Sequence, residues 1–257
     1  MFVITGGGSG IGRALAVELT KRGNKVMIIG RRQAVLAETS ALSPLITACC
    51  ADVSTARGRK IIVDALKPHQ FLQGLIHNAG VIEPITPIAE ILESDWEQAM
   101  ATNLNAPLFL TQSLLSKLNK QGRVLHIGSG AAYFPVSAWA PYCVSKAGLS
   151  MLTRCWQLEF GHEHTAFTSV MPGIIDTEMQ AVIRNAESMH PKKLEFFHQL
   201  FAKKKLLSAD TVAQFLAWLL LTIPPAKYAS QEWDIYDKSY HKEWLKAPYH
   251  VPYLEAT

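Results

Sequence analysis

The sequence predicts an α/β fold, a single doubly wound parallel sheet flanked by helices. Three observations predict it. The chain opens on a short apolar run, Phe2 to Thr5, which passes through a glycine-rich turn into a helical pattern. From there, apolar strand-length runs alternate with helix-length segments along the sequence, the pattern of right-handed β-α-β units. Lastly, the glycine turns and polar motifs follow directly after the predicted strands, at the edge where sheets of this kind bind ligands. A chain of 257 residues with 49% hydrophobic and 18% charged residues suits one such domain over residues 1–257.

Strand one, Phe2 to Thr5, runs into Thr5-Gly6-Gly7-Gly8-Ser9-Gly10-Ile11-Gly12, and a helix follows from Arg13 to Arg22. Free backbone N–H groups and the positive end of a helix converge there, so the turn suits an anion such as a pyrophosphate. The Gly-x-x-x-Gly-x-Gly spacing differs from Gly-x-Gly-x-x-Gly and lacks the Gly-Lys-Ser/Thr of an ATP loop. Strand two, Lys25 to Ile29, ends in Gly30-Arg31-Arg32. An acid at this place holds a free ribose 2′-hydroxyl, whereas two arginines call for a 2′-phosphate. NADP(H) is therefore the expected cofactor, the alternative being plain surface charge.

Strand three, Leu45 to Ala51, ends at Asp52-Val53. Asp52 could accept from an adenine amino group or cap the helix beginning near Ser54 or Thr55. Strand four, Leu72 to His77, ends in Asn78-Ala79-Gly80, small residues against which a cofactor backbone could lie. One long helix is expected from Glu93 to Gln112, with Asn103 inside it. An interior asparagine is a poor helix former, so it faces solvent or is held for a purpose.

Strand five, Val124 to Gly128, leads through Ser129 to Trp139, Pro141, Tyr142 and Lys146, and a helix continues to about Phe160. Tyr142 and Lys146 lie one turn apart on one helix face. An ammonium beside a phenol favours the phenolate and brings it toward acid/base work, while Ser129 could address the same substrate oxygen. Strand six, Thr165 to Met171, ends at Pro172-Gly173-Ile174-Ile175-Asp176-Thr177-Glu178-Met179. Residues 178–207 form one or two amphipathic helices, either core or a lid over substrate. A helix from Ser208 to Leu221 and a strand from Glu232 to Tyr236 follow, and the aromatic tail over 238–257 shows no pattern.

A net charge of +4, with Lys203-Lys204-Lys205 as the densest basic run, gives no nucleic-acid signature. The four cysteines, Cys49, Cys50, Cys143 and Cys155, have neither metal-ligand nor redox spacing, so no metal is expected. The N-terminus reads as a strand rather than a signal peptide, and the apolar run Phe215 to Ile223 is too short for a bilayer. A cytoplasmic protein without membrane partners is expected.

Taken together, Thr5-Gly6, Gly10-Ile11-Gly12, Asp52, Asn78-Ala79-Gly80, Asn103, Ser129, Tyr142-x-x-x-Lys146 and Pro172-Gly173 with Thr177 resemble the short-chain dehydrogenase/reductase family over nearly the whole chain. The resemblance implies a Rossmann-type domain in which Tyr142 protonates the substrate oxygen and Ser129 hydrogen-bonds it. Lys146 would hold the nicotinamide ribose and lower the tyrosine pKa, and Asn103 would position a relay water. Thr177, with Pro172, Gly173, Ile175 and Met179, would bind the carboxamide region. His77 stands where the family often has asparagine, and Ser9 where some NADP-dependent members carry a base.

Within the family, Pro172 to Gln180, Lys205-Leu206-Leu207-Ser208 and Asp234-Ile235-Tyr236-Asp237 look like the sepiapterin reductase and benzil reductase branch. That likeness implies a carbonyl reductase of dicarbonyl, α-hydroxycarbonyl or aromatic ketone substrates. Asp234 would anchor the substrate, and Phe134, Trp139 and the Met179 region would line its pocket. The resemblance also implies a homo-oligomer, dimer or tetramer. Other readings are an alcohol or steroid dehydrogenase and a dinucleotide sensor without chemistry.

Overall fold

The computed structural model describes residues 1–69, 71–161 and 164–253, with the backbone alone at 119–121. The last four residues of the expected tail lie outside this range. Seven parallel strands form one sheet: β1 (Phe2–Thr5), β2 (Val26–Gly30), β3 (Ile46–Cys50), β4 (Leu72–His77), β5 (Leu118–Ile127), β6 (Ala166–Met171) and β7 (Trp233–Asp234). Their order is β3-β2-β1-β4-β5-β6-β7. The chain steps outward from β1 to β3, then returns to the other side of β1. That reversal opens a crevice beyond the strand ends between β1 and β4.

Both faces of the sheet are covered, which is why its central strands read as continuous apolar runs rather than alternating ones. Successive side chains still point to opposite faces. Phe2 and Ile4 join one core layer with Leu15 and Leu19 of α1 (Gly10–Lys21), Leu36 of α2 (Gln33–Ser40) and Phe215 of α9 (Ala209–Leu221). Val3 joins the other, with Ile62 of α3 (Ala56–Ala65), Leu110 of α5 (Ala106–Leu114) and Trp156 of α6 (Ala140–Phe160). A smaller third cluster packs Trp139 and Tyr142 against Ile183 of α7 (Glu178–Arg184) and Phe197 and Leu200 of α8 (Pro191–Ala202). Two short helices, α10 (Pro225–Tyr228) and α11 (His241–Trp244), complete the described chain.

The single helix expected from Glu93 is two helices. Between α4 (Glu93–Met100) and α5 lies a π-helical turn, Ala101–Asn105, in which the Ala106 N–H reaches back to the Ala101 carbonyl. Pro107 has no N–H to offer the Asn103 carbonyl four residues earlier, so the regular ladder breaks there. The helix predicted from Arg13 begins earlier, at Gly10, and α2 escaped the sequence reading. The last strand is shorter than expected, with only Trp233 and Asp234 in register with Val170 and Met171. The patternless tail is anchored by aromatics: Tyr240 lies 5.1 Å from the Trp233 ring, and Trp244 lies 5.0 Å from Phe215.

Candidate active site

The crevice is a continuous cleft of about 1080 Å³ running from Arg31 at one end to Phe196 at the other. Ligand pockets span roughly 300–1,000 Å³, so there is room for a dinucleotide and a second molecule.

The glycine turn forms its floor at one end. Gly6 has φ +67°, and a Cβ there would lie 2.9 Å from Ala79 Cα and from Asn78 Nδ2. At Gly12 a Cβ would lie 2.3 Å from the Gly6 carbonyl oxygen, so the turn closes only with glycine at these two positions. Asn78 Nδ2 donates to the carbonyls of Thr5 and Gly6, each at 3.0 Å. Thr5 Oγ1 accepts from the Asn78 and Ala79 N–H groups, also at 3.0 Å. These bonds lace β4 to β1 through Asn78, whatever residue stands at His77. Ser9 is the N-cap of α1 but makes no side-chain cap bond. The first-turn N–H groups facing the cleft therefore suit the phosphates of a dinucleotide.

Arg31 and Arg32 both line the far end. Arg32 Nη2 donates to Glu178 Oε2 at 3.0 Å across the cleft and to Ser9 Oγ at 3.4 Å. Asp52 and Val53 also line the wall, with Gly10, Ile11 and Gly80. The helix-cap alternative for Asp52 is corrected: Thr55 Oγ1 caps α3 by accepting from Gly58 N–H at 2.9 Å. Asp52 instead turns the chain, its Oδ1 accepting from Ser54 N–H and Oγ–H at 2.9 and 2.7 Å.

At the middle of the cleft the polar candidates meet. Lys146 is 5% exposed, and its Nζ donates to the Ile127 carbonyl at 2.7 Å. Burial pulls its pKa from 10.5 down to about 8. The ammonium lies 5.6 Å from the Tyr142 ring centroid. Tyr142 is buried, which pushes its phenol above 10.0, while a hydrogen bond with Ser129 draws it back. The expected lowering beside Lys146 is thus corrected, because desolvation of the buried phenol outweighs the Ser129 hydrogen bond. Ser129 Oγ also accepts from the Ala131 N–H at 3.1 Å.

Asn103 is buried in the π-helical turn, and neither solvent nor helix holds its amide. Its Oδ1 accepts from Val81 N–H at 2.9 Å, and its Nδ2 donates to the Val81 carbonyl at 2.9 Å and to Ser145 Oγ at 3.0 Å. Asn103 therefore joins the loop after β4 to α6, beside Lys146.

The chain after β6 crosses the cleft. Gly173 has φ +81°, and a Cβ would lie 2.4 Å from Leu207 Cδ1. Pro172, Ile175, Thr177 and Met179 line the cleft with it. Thr177 caps the start of α7, and its Cγ2 would be 3.3 Å from a Cβ on Gly10, so both arms converge on the glycine turn.

On the other side stands an aromatic wall. Trp139 meets the Tyr142 ring edge-on at 5.7 Å and stacks on Phe197 at 5.7 Å, with Phe134 at the rim. Asp234 lines the same region half-buried; burial raises its pKa, and the Tyr236 N–H donates to its Oδ1 at 2.9 Å. Sequence reasoning missed Tyr236, whose Oη accepts from the Ile174 N–H at 3.2 Å, and Ile82 and Val136 in the wall. Tyr236 follows Asp234 at the strand period of two, a usable signal. Nothing local marks Ile82 or Val136.

A family model described as short chain dehydrogenase matches residues 1–188. The chain belongs to the short-chain dehydrogenase family. It is accordingly an oxidoreductase of carbonyl or CH–OH groups that binds a nicotinamide dinucleotide, and the glycine turn, which has no room for a Cβ at Gly6, Gly7 or Gly12, fits that group. The chain is 30% identical over 225 residues to a benzil reductase ((S)-benzoin forming) of Bacillus subtilis, covering 86% of this chain and 93% of that one. It is also 30% identical over 225 residues to an L-xylulose reductase of Caenorhabditis elegans, covering 85% and 87%. A solved short-chain dehydrogenase/reductase from Saccharomyces cerevisiae superposes with a TM-score of 0.86 at 26% identity, covering 95% and 98%. Among the described residues of this family member, no group of three or more His, Cys, Asp or Glu could hold a metal, and no helix is long and apolar enough to cross a membrane.

Proposed function

We propose that this short-chain dehydrogenase is an NADPH-dependent carbonyl reductase of aromatic ketones and vicinal dicarbonyls, benzil-like or sepiapterin-like. The observation that carries the reading is the convergence of Ser129, Tyr142, Lys146 and Asn103 between a glycine turn and an aromatic wall. The likeness to benzil reductase agrees with it. NADPH, when bound, would supply a hydride for the carbonyl carbon. Tyr142 gives its hydroxyl proton to the substrate oxygen as negative charge develops there, and Ser129 donates a hydrogen bond to the same atom. Lys146 holds the ribose hydroxyls and, once desolvation is shared with cofactor oxygens, favours the phenolate left on Tyr142. Asn103, fixed to Val81 and Ser145, positions a water through which Tyr142 and Lys146 recover a proton. Thr177 orients the carboxamide, so that the hydride meets one face of the substrate.

Gly6, Ser9, Gly10, Ile11, Gly12, Asp52, Val53, Asn78, Ala79, Gly80, Pro172, Gly173, Ile175 and Met179 complete the cofactor site. Arg31, with Arg32, takes the 2′-phosphate. Trp139 and Asp234 face the substrate, Asp234 accepting from any N–H it carries, and residues 178–207 act as a lid on a single domain. The free thiols suit the cytoplasm, and α6 suits a homo-oligomer.

Steady-state reduction of benzil and of sepiapterin tests this. The wild-type chain is expected to turn over at least one with NADPH, and Tyr142→Phe to lose on the order of 100-fold or more in kcat. Unchanged turnover in that variant refutes the mechanism. Arg31→Asp is expected to weaken NADPH relative to NADH by roughly tenfold; an unchanged ratio refutes the cofactor assignment.

A further inference from the structure

Ser129 sits on a segment that the core holds through Ala131, while the residues that follow stand away from it. Residues 133–135 are exposed, and Gly130 has no atom within 4 Å of where a Cβ would stand. The turn Gly130–Ala132 is closed by short local bonds, from the Ala131 N–H to Ser129 Oγ at 3.1 Å, from the Ala132 N–H to the Ser129 carbonyl at 3.0 Å, and from the Tyr133 and Phe134 N–H groups to the Gly130 carbonyl at 3.0 and 3.3 Å. At its front end the Gly128 N–H is pinned to the Val170 carbonyl at 2.8 Å.

At its back end a side chain does the pinning. Tyr133 Oη donates to Glu232 Oε2 and shares a 2.8 Å hydrogen bond with Ser150 Oγ of α6. Glu232 Oε1 accepts from Ser169 Oγ–H of β6 at 2.6 Å and lies 3.5 Å from the place of a Cβ on Gly128. One carboxylate thus lies beneath the residue preceding Ser129 while holding the residue that ends its turn. The carboxylate, on the segment before β7, is joined to β6 directly through Ser169 and to α6 through Tyr133, which bonds Ser150.

We infer that Tyr133 and Glu232 are positioning residues, a tether that sets Ser129 Oγ against the substrate oxygen and Tyr142. The inference rests on the carbonyl-reductase reading for the role of Ser129 and goes beyond it in assigning what aims that hydroxyl. Tyr133→Phe removes one hydroxyl from a residue 43% exposed, so folding is not at stake. Misplacing a reacting group by ~1 Å can cost about 100-fold, so loss of the tether is expected to lower kcat on the order of tenfold while the KM for NADPH stays within about twofold.

The deciding experiment is a double-mutant cycle with Ser129→Ala, read in kcat on benzil, together with hydrogen exchange of the 128–134 peptide. A residue that acts through Ser129 has nothing left to position once the hydroxyl is gone. Tyr133→Phe is expected to cost about tenfold in the wild-type background and less than about twofold in Ser129→Ala. Glu232→Ala is expected to show the same pattern. Equal losses in both backgrounds overturn the inference, since a merely structural residue acts additively. The exchange arm needs no turnover: Tyr133→Phe is expected to speed exchange at 129–133, and unchanged rates overturn the tether. A wild-type chain inert toward carbonyls counts against the reductase reading, and the exchange result still decides the tether.

Discussion

Lys146 joins sequence position to chemistry at the scale of one residue. Its one-turn spacing from Tyr142 is visible in the sequence, but its burial is not, and burial lowers its pKa to about 8. Below that pH both folded and unfolded chains hold the proton, and the folded chain bears the full desolvation cost. Between about 8 and 10.5 the unfolded chain binds more protons, so stability rises with pH in that window, by at most ~1.4 kcal/mol per pH unit. Calorimetry of the ligand-free protein from pH 7.5 upward, compared with Lys146→Met, checks this: the wild type is expected to gain stability relative to the variant. Tyr142 shows the opposite limit of sequence reading. An ammonium nearby lowers a phenol pKa, yet the buried ring stands above 10.0, because desolvation of the phenolate costs more than the Ser129 hydrogen bond returns.

The π-helical turn carries the clearest consequence at the scale of an element. A helix-length pattern from Glu93 onward is legible, but the break at Ala101–Asn105 needs both Pro107 within the chain and Val81 outside the helix. Asn103→Ala leaves the Val81 N–H and carbonyl without their partner in a partly buried place, which costs about 1–2 kcal/mol. Chemical denaturation is expected to show that loss, with a lower midpoint at an unchanged denaturant slope. The same residue argues why motif and geometry agree here: the asparagine that looked like a helix defect is the residue that joins the loop after β4 to α6. The loop from Ser129 to Trp139 was legible only at its ends. Its tether uses Glu232, 99 residues from Tyr133, and no local pattern marks such a pair.

At the scale of the whole molecule, the outer face of α6 presents Val144, Met151 and Leu158, seven residues apart and 48%, 56% and 87% exposed. Apolar residues at that spacing make a continuous seam suited to another helix. Sedimentation of the wild-type chain is expected to give a dimer or tetramer, and Met151→Glu with Leu158→Glu to give a species of lower mass that still folds. A wild-type monomer at micromolar concentration refutes the oligomer.

The strand and helix alternation, the glycine turn, the Tyr-x-x-x-Lys pair and the parallel sheet were determined by sequence alone, because each depends on local periodicity or on backbone geometry open only to glycine. The tertiary structure decided the rest: that Arg32 reaches Glu178, that Thr55 rather than Asp52 caps α3, that Trp139 stacks on Phe197 and meets Tyr142 edge-on, and that Glu232 lies beside Gly128, next to Ser129. Those pairings join residues brought together by the sheet's crossovers, or by competition among neighbouring caps. Their energies depend on burial and distance, which a linear pattern does not carry.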